Sequence, residues 1–267
     1  MPRFFFRSGI SQKYFFNRDN LHEQIGNWFW IASNIQGVVY DGVKSDSAYM
    51  MCRPAFEYED SKQELHQRVV DNMTVFLYVY SGLEALINDS NLKNCKKNRG
   101  KINAAKLHIK SNFSNGFLSI PMYRESLNLL FSFIDQRDSD YQNLKTTFTL
   151  DDCCDFNGIG LKVVYKIRNL LAHGSFSFPE PLGHSYMMPL QSEIIEVSTR
   201  IILLSAQMIM IGNCEQQFKK IDLYNSEVIE RNDDVDEEWE VDELIFLRSF
   251  HIQKQLKDPN QLLFGFD

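Results

Sequence analysis

Three residues near the middle of the chain combine side chains that are suited to phosphate chemistry. Arg168, Asn169 and His173 lie in the sequence KVVYKIRNLLAHGSFSF, which spans residues 162 to 178. Arginine offers a planar fork of donors that fits phosphate oxygens. Histidine exchanges a proton near neutral pH, and an asparagine amide can orient an imidazole or bind a phosphate oxygen. Together they form a small cluster of chemically useful polar side chains.

The three residues lie at the C-terminal end of a predicted amphipathic helix. The apolar side chains recur at the spacing of a helix face that packs on a core, namely Val163, Val164, Ile167, Leu170 and Leu171. At about 100° per residue, the opposite face carries Tyr165, Arg168, Asn169, Ala172 and His173. Gly174 follows directly, and glycine is the usual residue just after a helix end. We therefore expect the helix to stop at His173, with the polar residues outside the core.

The run IRNLLAHG resembles the Arg-Asn-x3-His motif of HEPN domains (higher eukaryotes and prokaryotes nucleotide-binding). The segment YSGLEALI, residues 80 to 87, is similar to an aliphatic-Glu-Ala-aliphatic run in the first helix of that family. The resemblance implies an all-helical bundle that dimerises and, in many members, cuts RNA without a metal ion. It also implies that Arg168, Asn169 and His173 are the catalytic residues.

Glu84 is a further candidate for the catalytic site. It lies within the apolar stripe of a strong predicted helix, Ser61 to Asn88, which begins with a capping box of Ser61 and Glu64. A carboxylate in such a stripe is costly unless it is paired. One hypothesis is that Glu84 forms an ion pair with Arg168 and holds the guanidinium for phosphate contact. The alternatives are a partner within the core, or a rotation of the helix that leaves Glu84 at the surface.

Charge is distributed unevenly along the chain. The net charge is −7, but residues 226 to 243 alone carry ten acidic side chains and one arginine, so the remainder is slightly basic. Residues 93 to 110 carry seven basic side chains and no acidic one. This basic segment is either solvated surface or a groove for RNA, in which Lys96, Lys97, Arg99 and Lys101 would contact phosphates. The acidic run is either a flexible loop or an RNA mimic that folds over the basic groove.

The predicted fold is mainly α, an up-and-down helical bundle with a small mixed N-terminal extension. Residues 1 to 60 form that extension, with short strands at the FFF and YFF runs, a helix from Asn20 to Gln36 capped by Asn20, and a linker from Arg53 to Asp60. Residues 61 to 220 form the HEPN-like bundle, and residues 221 to 267 form an acidic segment and a C-terminal helix. The other predicted helices are Met122 to Gln136, Asp138 to Thr147, Gln191 to Lys220 and Val241 to Lys257.

Several classes of protein are disfavoured by the sequence. Five cysteines without a C-x-x-C pair argue against a disulfide framework and a structural zinc site. There is no glycine-rich phosphate loop or nucleophile elbow. The most apolar segment, 194 to 211, is interrupted by charged residues and predicts a buried helix, not a membrane span. We expect no metal, no cofactor and no membrane association, and a cytoplasmic protein.

The preferred hypothesis is a metal-independent endoribonuclease, which by the resemblance would be a toxin or an antiviral-defence effector. Each motif supplies one histidine, so two chains around a two-fold axis would build one composite site with RNA as substrate. A homodimer is expected, and an antitoxin or regulatory protein is a possible further partner. The alternatives are a non-catalytic HEPN module that binds RNA, nucleotide or a partner protein, and a purely structural dimerisation protein with the motif buried or dispersed.

Overall fold

The computed structural model of the 267-residue chain describes residues 19–42, 52–94, 99–113, 120, 122–136, 138–181, 190–213, 220–222, 227–229, 240–242, 245 and 247. Over these residues the fold is mainly α, which confirms the predicted class. The helices are α1 (Asp19–Asn34), α2 (Arg53–Asp89), α3 (Lys101–Phe113), α4 (Tyr123–Asp135), α5 (Asp138–Lys145), α6 (Ile159–Ala172) and α7 (Gln191–Asn213).

The central element of the bundle is α7, which packs against α2, α3, α4 and α6. Its apolar side chains are buried on all sides, as its sequence predicts. Two of its polar residues tolerate burial because they bond to their own helix. The hydroxyl of Ser198 donates to the carbonyl oxygen of Ile194 at 2.6 Å, and that of Thr199 donates to Ile195 at 2.9 Å. The helix ends at Asn213, earlier than the predicted Lys220.

α7 is also the one helix among the described residues that is long and apolar enough to cross a membrane. Within the bundle, 83% of its most apolar window is buried by other parts of the chain. A core helix of a folded bundle passes the same test of length and composition, and the position of α7 between four other helices is that of a core helix.

The long helix α2 begins earlier than predicted. It starts at Arg53, so the expected linker from 53 to 60 is helical and the helix continues across the predicted boundary at residue 61. Pro54 suits this start because a proline is already in helical geometry and lacks an N–H that the first turn cannot use. Ser61 therefore lies inside the helix, where its hydroxyl donates to the carbonyl oxygen of Glu57 at 2.8 Å. The predicted capping box at Ser61 is wrong.

Helix α1 packs directly on α2 and belongs to the same core. Ile25, Phe29 and Ala32 are buried. Gly82 of α2 permits this close approach, because a Cβ atom there would lie 2.9 Å from the ring of Phe29. The predicted cap Asn20 lies one residue inside the helix, and the strands predicted at residues 4–6 and 14–16 lie outside the described residues.

The described strands follow the bundle. They are β1 (Lys220–Asp222), β2 (Glu227–Ile229) and β3 (Glu240–Asp242), and they form an antiparallel sheet in the order β2-β1-β3. The prediction of a flexible loop across the acidic run is therefore wrong for the strand residues. The predicted helix at Val241 is also wrong at its start, because Val241 pairs with Ile221 in the sheet. Local propensity did not reveal these strands because long-range pairing stabilises them.

A buried glutamine connects α7 to the chain beyond the sheet. Gln207 is completely buried, and its Nε2 donates to the carbonyl oxygen of Leu247 at 2.5 Å. Leu247 is itself buried and belongs to the main core. Leu247 is thus attached to the centre of the bundle by its side chain and by its backbone carbonyl.

Candidate functional site

The C-terminal end of α6 has a specific turn that determines where His173 lies. The N–H of Gly174 donates to the carbonyl oxygen of Leu171 at 3.2 Å, and the N–H of Ser175 donates to Leu170 at 2.8 Å. Gly174 has φ +63°, the left-handed conformation that glycine adopts without strain. This pair of bonds is a Schellman motif. The predicted helix end at His173 is confirmed, because His173 is the C-cap residue.

The two predicted faces of α6 are also confirmed. Val163, Val164 and Ile167 are completely buried, and Leu170 and Leu171 pack on the core while half-buried. The opposite face is accessible, with Arg168 and Asn169 half-buried and with Tyr165, Ala172 and His173 exposed. The motif is neither buried nor dispersed. Its side chains share one accessible face at the end of a helix.

Arg168 lies against an aromatic ring from α2. Its Cζ is 5.7 Å from the ring centroid of Tyr80, a cation–π contact. One terminal nitrogen, Nη1, also donates to the Oδ1 of Asn169 at 3.4 Å, which is a long hydrogen bond. The guanidinium keeps most of its donors for other acceptors, because it has five.

Glu84 is half-buried and lies one helical turn after Tyr80 on α2. Over the part of the chain that the structure describes, no ion pair or hydrogen bond joins Glu84 to Arg168. Tyr80 lies close enough to both residues for their charges to shift the pKa of its hydroxyl. Glu84 raises this pKa and Arg168 lowers it. The predicted direct pairing is therefore not made in this structure. The Tyr80 ring is the group that contacts the guanidinium.

Tyr80 is a component of the site that the sequence did not reveal. It is 2% exposed, and its hydroxyl has no hydrogen-bond partner among the described residues. Burial raises the pKa of the Tyr80 phenol well above its usual range, Glu84 raises this pKa further, and Arg168 opposes the effect. The hydroxyl is therefore a neutral donor. The available signal in the sequence is the spacing of four residues between Tyr80 and Glu84, which places both on one face of α2.

The imidazole of His173 is exposed and is not engaged by the described residues. The expected neighbour Asn169 lies one turn earlier, but its amide contacts Arg168 instead of the imidazole. The backbone of His173 is held, because its N–H donates to the carbonyl oxygen of Asn169 at 3.0 Å. The position of His173 is therefore determined by the backbone, while its ring is available for another molecule.

The chain after the motif is anchored on α2. Phe178 packs against His66 with ring centroids 5.5 Å apart, and Nε2 of His66 donates to the carbonyl oxygen of Pro179 at 3.0 Å. Glu180 accepts a hydrogen bond from the Tyr58 hydroxyl at 2.8 Å. This bond lowers the pKa of Glu180, and nearby Lys62 lowers it further. These contacts place residues on both sides of His173 against the same bundle.

The start of α6 is positioned by a buried tyrosine. Tyr123 is completely buried, its hydroxyl donates to the carbonyl oxygen of Asn157 at 2.5 Å, and it accepts from the N–H of Gly160 at 3.1 Å. Burial raises the pKa of this hydroxyl well above its usual range. A Cβ atom at Gly160 would lie 2.6 Å from both Tyr123 and Ile201. Glycine is therefore needed for α6 to approach α7.

The predicted basic segment is only partly available for a ligand. Arg99 and Lys101 are exposed, whereas Lys96 and Lys97 lie outside the described residues. Lys106 is 3% exposed and pairs with Asp151 at 3.6 Å. Lys110 donates to the carbonyl oxygen of Asp152 at 3.1 Å. Lys106 and Lys110 therefore hold the loop before α6 in place. No contact among the described residues joins Arg99 or Lys101 to the motif.

The cysteines near this loop differ from the expectation. Cys153 is disulfide-bonded, so the odd cysteine count did not exclude a disulfide. Cys154 and Cys52 are free thiols. Burial raises the pKa of the Cys154 thiol to about 11, although Lys106 acts in the opposite direction. Cys154 is thus a structural thiol and a poor nucleophile.

Fold and site together define a helical bundle that displays Arg, Asn and His side chains beside the end of a surface helix. Comparison of the chain with models of known protein families found no match, and comparisons with curated proteins and with solved structures found no significant similarity. The resemblance to HEPN domains therefore remains a prediction from the motif.

Proposed function

We propose that the protein is a metal-independent endoribonuclease of HEPN type that cleaves RNA at a composite homodimer site. The observation that carries the proposal is the grouping of Arg168, Asn169 and His173 on one accessible face, next to a helix end that determines the position of His173. RNA cleavage without a metal needs a proton acceptor and a cation for the phosphate, and this face offers both.

The chemistry assigns a role to each group. His173 accepts the proton of a ribose 2′-OH, and the 2′-oxygen attacks the adjacent phosphorus. The bond from phosphorus to the 5′-oxygen breaks, which leaves a 2′,3′-cyclic phosphate and a 5′-hydroxyl. Arg168 binds the phosphate oxygens as charge develops on them. Asn169 contacts the phosphate or the guanidinium. His173 of a second chain donates the proton to the leaving 5′-oxygen, so the site requires a homodimer.

The setting follows from the same proposal. In this proposal the enzyme acts in the cytoplasm, where a toxin or antiviral-defence effector finds its RNA substrate. Such an enzyme also needs restraint, and an antitoxin or regulatory partner protein would provide it. The exposed Arg99 and Lys101, together with Lys96 and Lys97, would contact the RNA backbone through salt-dependent interactions.

The test is cleavage of single-stranded RNA by the purified chain in the presence of EDTA. We expect His173→Ala to abolish cleavage, because no other group of the motif can accept the 2′-OH proton. The matched control is Asp135→Asn, which alters a surface ion pair with Lys145 outside the motif and should leave cleavage unchanged. Full activity of His173→Ala in a folded protein would contradict the proposal.

The second candidate is a non-catalytic module that binds RNA, nucleotide or a partner protein. It is favoured by the lack of an orienting hydrogen bond to the His173 imidazole among the described residues, since catalytic imidazoles are commonly oriented by a second group. The same assay separates the two candidates. RNA that binds with a strong salt dependence but stays intact would favour the binding module.

A further inference from the structure

The hydroxyl of Tyr80 is a buried polar atom within the candidate site. It is accessible to less than 1 Å² of solvent and has no hydrogen-bond partner among the described residues. A buried hydroxyl without a partner is destabilising, so native chains usually satisfy it or use it for a ligand. Phenylalanine would fill the same space at this position without that penalty.

The surroundings of this hydroxyl come from two helices. Glu84 follows Tyr80 by one turn of α2, so the two side chains share a face. Arg168 comes from α6, and its guanidinium lies 5.7 Å from the Tyr80 ring centroid. Tyr165 lies one turn before Arg168 on the same face of α6 and raises the pKa of the Tyr80 hydroxyl. A neutral donor is thus combined with one cation and one carboxylate at the seam between α2 and α6.

We propose that the Tyr80 hydroxyl is a second donor to the phosphodiester that Arg168 binds. The inference rests on the phosphate-binding role of Arg168 in the proposed function, and it adds a residue that lies outside the Arg-Asn-x3-His motif. A phenol and a guanidinium that approach one phosphate oxygen pair give it two charge-assisted hydrogen bonds from different helices. The ring of Tyr80 then supports the guanidinium while its hydroxyl contacts the ligand.

Access to the hydroxyl depends on Arg168. The guanidinium covers the Tyr80 ring, and the long arginine side chain is half-buried, with one hydrogen bond of 3.4 Å to Asn169. A phosphate that draws the guanidinium outward uncovers the edge of the ring beneath it. Because the hydroxyl makes no hydrogen bond to the residues that the structure describes, it breaks none of these when it turns to the ligand.

The competing explanation is a structural partner within the chain, and the carboxylate of Glu84, one turn further along α2, is the candidate acceptor, since its charge acts on the pKa of this hydroxyl. A second buried tyrosine provides the matched comparison. The Tyr123 hydroxyl bonds to Asn157 and Gly160, so Tyr123→Phe removes two hydrogen bonds and should lower the melting temperature. Tyr80→Phe removes none, and the melting temperature should stay the same or rise.

The experiment measures binding and cleavage separately for Tyr80→Phe in the full chain. Binding is followed by fluorescence anisotropy with a short single-stranded RNA whose riboses are 2′-O-methylated, so that it cannot be cleaved. Cleavage is followed with the same sequence as unmodified RNA. We expect Tyr80→Phe to weaken binding, and to lower kcat/KM, by about tenfold to hundredfold, the range for one hydrogen bond to a charged group. The melting temperature of Tyr80→Phe should not fall below that of the wild type.

Each outcome decides between the explanations. Wild-type binding and cleavage in Tyr80→Phe would overturn the inference, and so would a loss of melting temperature like that of Tyr123→Phe. If the wild-type chain binds the methylated RNA but cleaves nothing, the ribonuclease proposal fails, and weaker binding by Tyr80→Phe still supports the role of Tyr80. If His173→Ala abolishes cleavage while Tyr80→Phe changes nothing, the inference fails and the ribonuclease proposal stands.

Discussion

The backbone N–H of Ser175 donates to the carbonyl oxygen of Leu170 at 2.8 Å, and this bond folds the chain back over the last turn of α6. The turn passes through Gly174, whose φ of +63° allows the reversal. His173 precedes Gly174 directly. The geometry of the motif therefore depends on a single glycine as well as on the residues that carry its chemistry.

Gly174→Ala should lower the free energy of unfolding by about 1 kcal/mol, because a Cβ atom strains the left-handed conformation. No heavy atom lies within 4 Å of that Cβ position, so the cost comes from the backbone alone. Gly174→Asn is the matched control, since asparagine tolerates this conformation better and should lose less. Urea denaturation measures both, and equal losses for the two variants would contradict the backbone explanation.

Gly160→Ala should destabilise the fold by about 1–3 kcal/mol, the usual cost of overpacking a core. The added methyl group would lie 2.6 Å from the side chains of Ile201 and Tyr123, so α6 would have to move away from α7. Gly37→Ala is the control, because its nearest contact is an ordinary 3.7 Å from Asp71. Thermal denaturation should separate the two variants clearly. If Gly160→Ala is no less stable than Gly37→Ala, the prediction is contradicted, and α6 can move away from α7 with little loss of unfolding free energy.

Asp151→Asn should cost about 2 kcal/mol, because it leaves the buried ammonium of Lys106 without its counterion. Asp151 is partly exposed, so we expect less than the loss typical of a fully buried pair. The control is Asp135→Asn, whose pair with Lys145 is exposed and should contribute less than about 1 kcal/mol. Chemical denaturation at neutral pH compares them, and equal effects would be inconsistent with a buried pair.

The same carboxylate predicts acid sensitivity. Burial by itself raises the pKa of Asp151, but the N–H of Cys153, Lys106 and Lys162 together outweigh it and lower the pKa below 3.8. The contribution to stability is therefore present above that value and is lost as the pH falls through the lowered pKa. Asp151→Asn should flatten the acid side of the stability profile. If the free energy of unfolding of this variant falls with acid as steeply as that of the wild type, the ion pairs of Asp151 do not contribute as stated.

His108 predicts a second pH dependence, at higher pH. Burial against α7 lowers the pKa of His108 below 6.5, although a bond to the backbone of Ile209 partly opposes the shift. The folded state therefore favours the neutral imidazole. Its stabilising contribution is complete above about pH 6.5 and decreases as the pH falls below that value, where the unfolded chain binds the proton more readily. His108→Gln should reduce the slope of unfolding free energy in this range, measured by urea titrations.

Much of the motif helix was predictable from the sequence because its determinants are local. The spacing of Val163, Val164 and Ile167 identified the buried face, and Gly174 identified the end. Both signals depend on residues within a few turns of one another. The acidic strands were not predictable in this way, since Ile221 and Val241 pair across a long stretch of chain. The start of α2 was missed because the charged residues after Arg53 resemble those of a linker.

The sequence by itself determined which residues α6 presents outside the core, because helical periodicity assigns every side chain to a face. Only the tertiary structure decided what lies against them. Arg168 and Tyr80 are far apart in the chain, and they meet because α6 and α2 pack in one bundle around α7. Over the described part of the chain, the same packing leaves Glu84 without a direct bond to Arg168 and leaves the Tyr80 hydroxyl without a partner. These relationships depend on how helices pack, which no local pattern specifies.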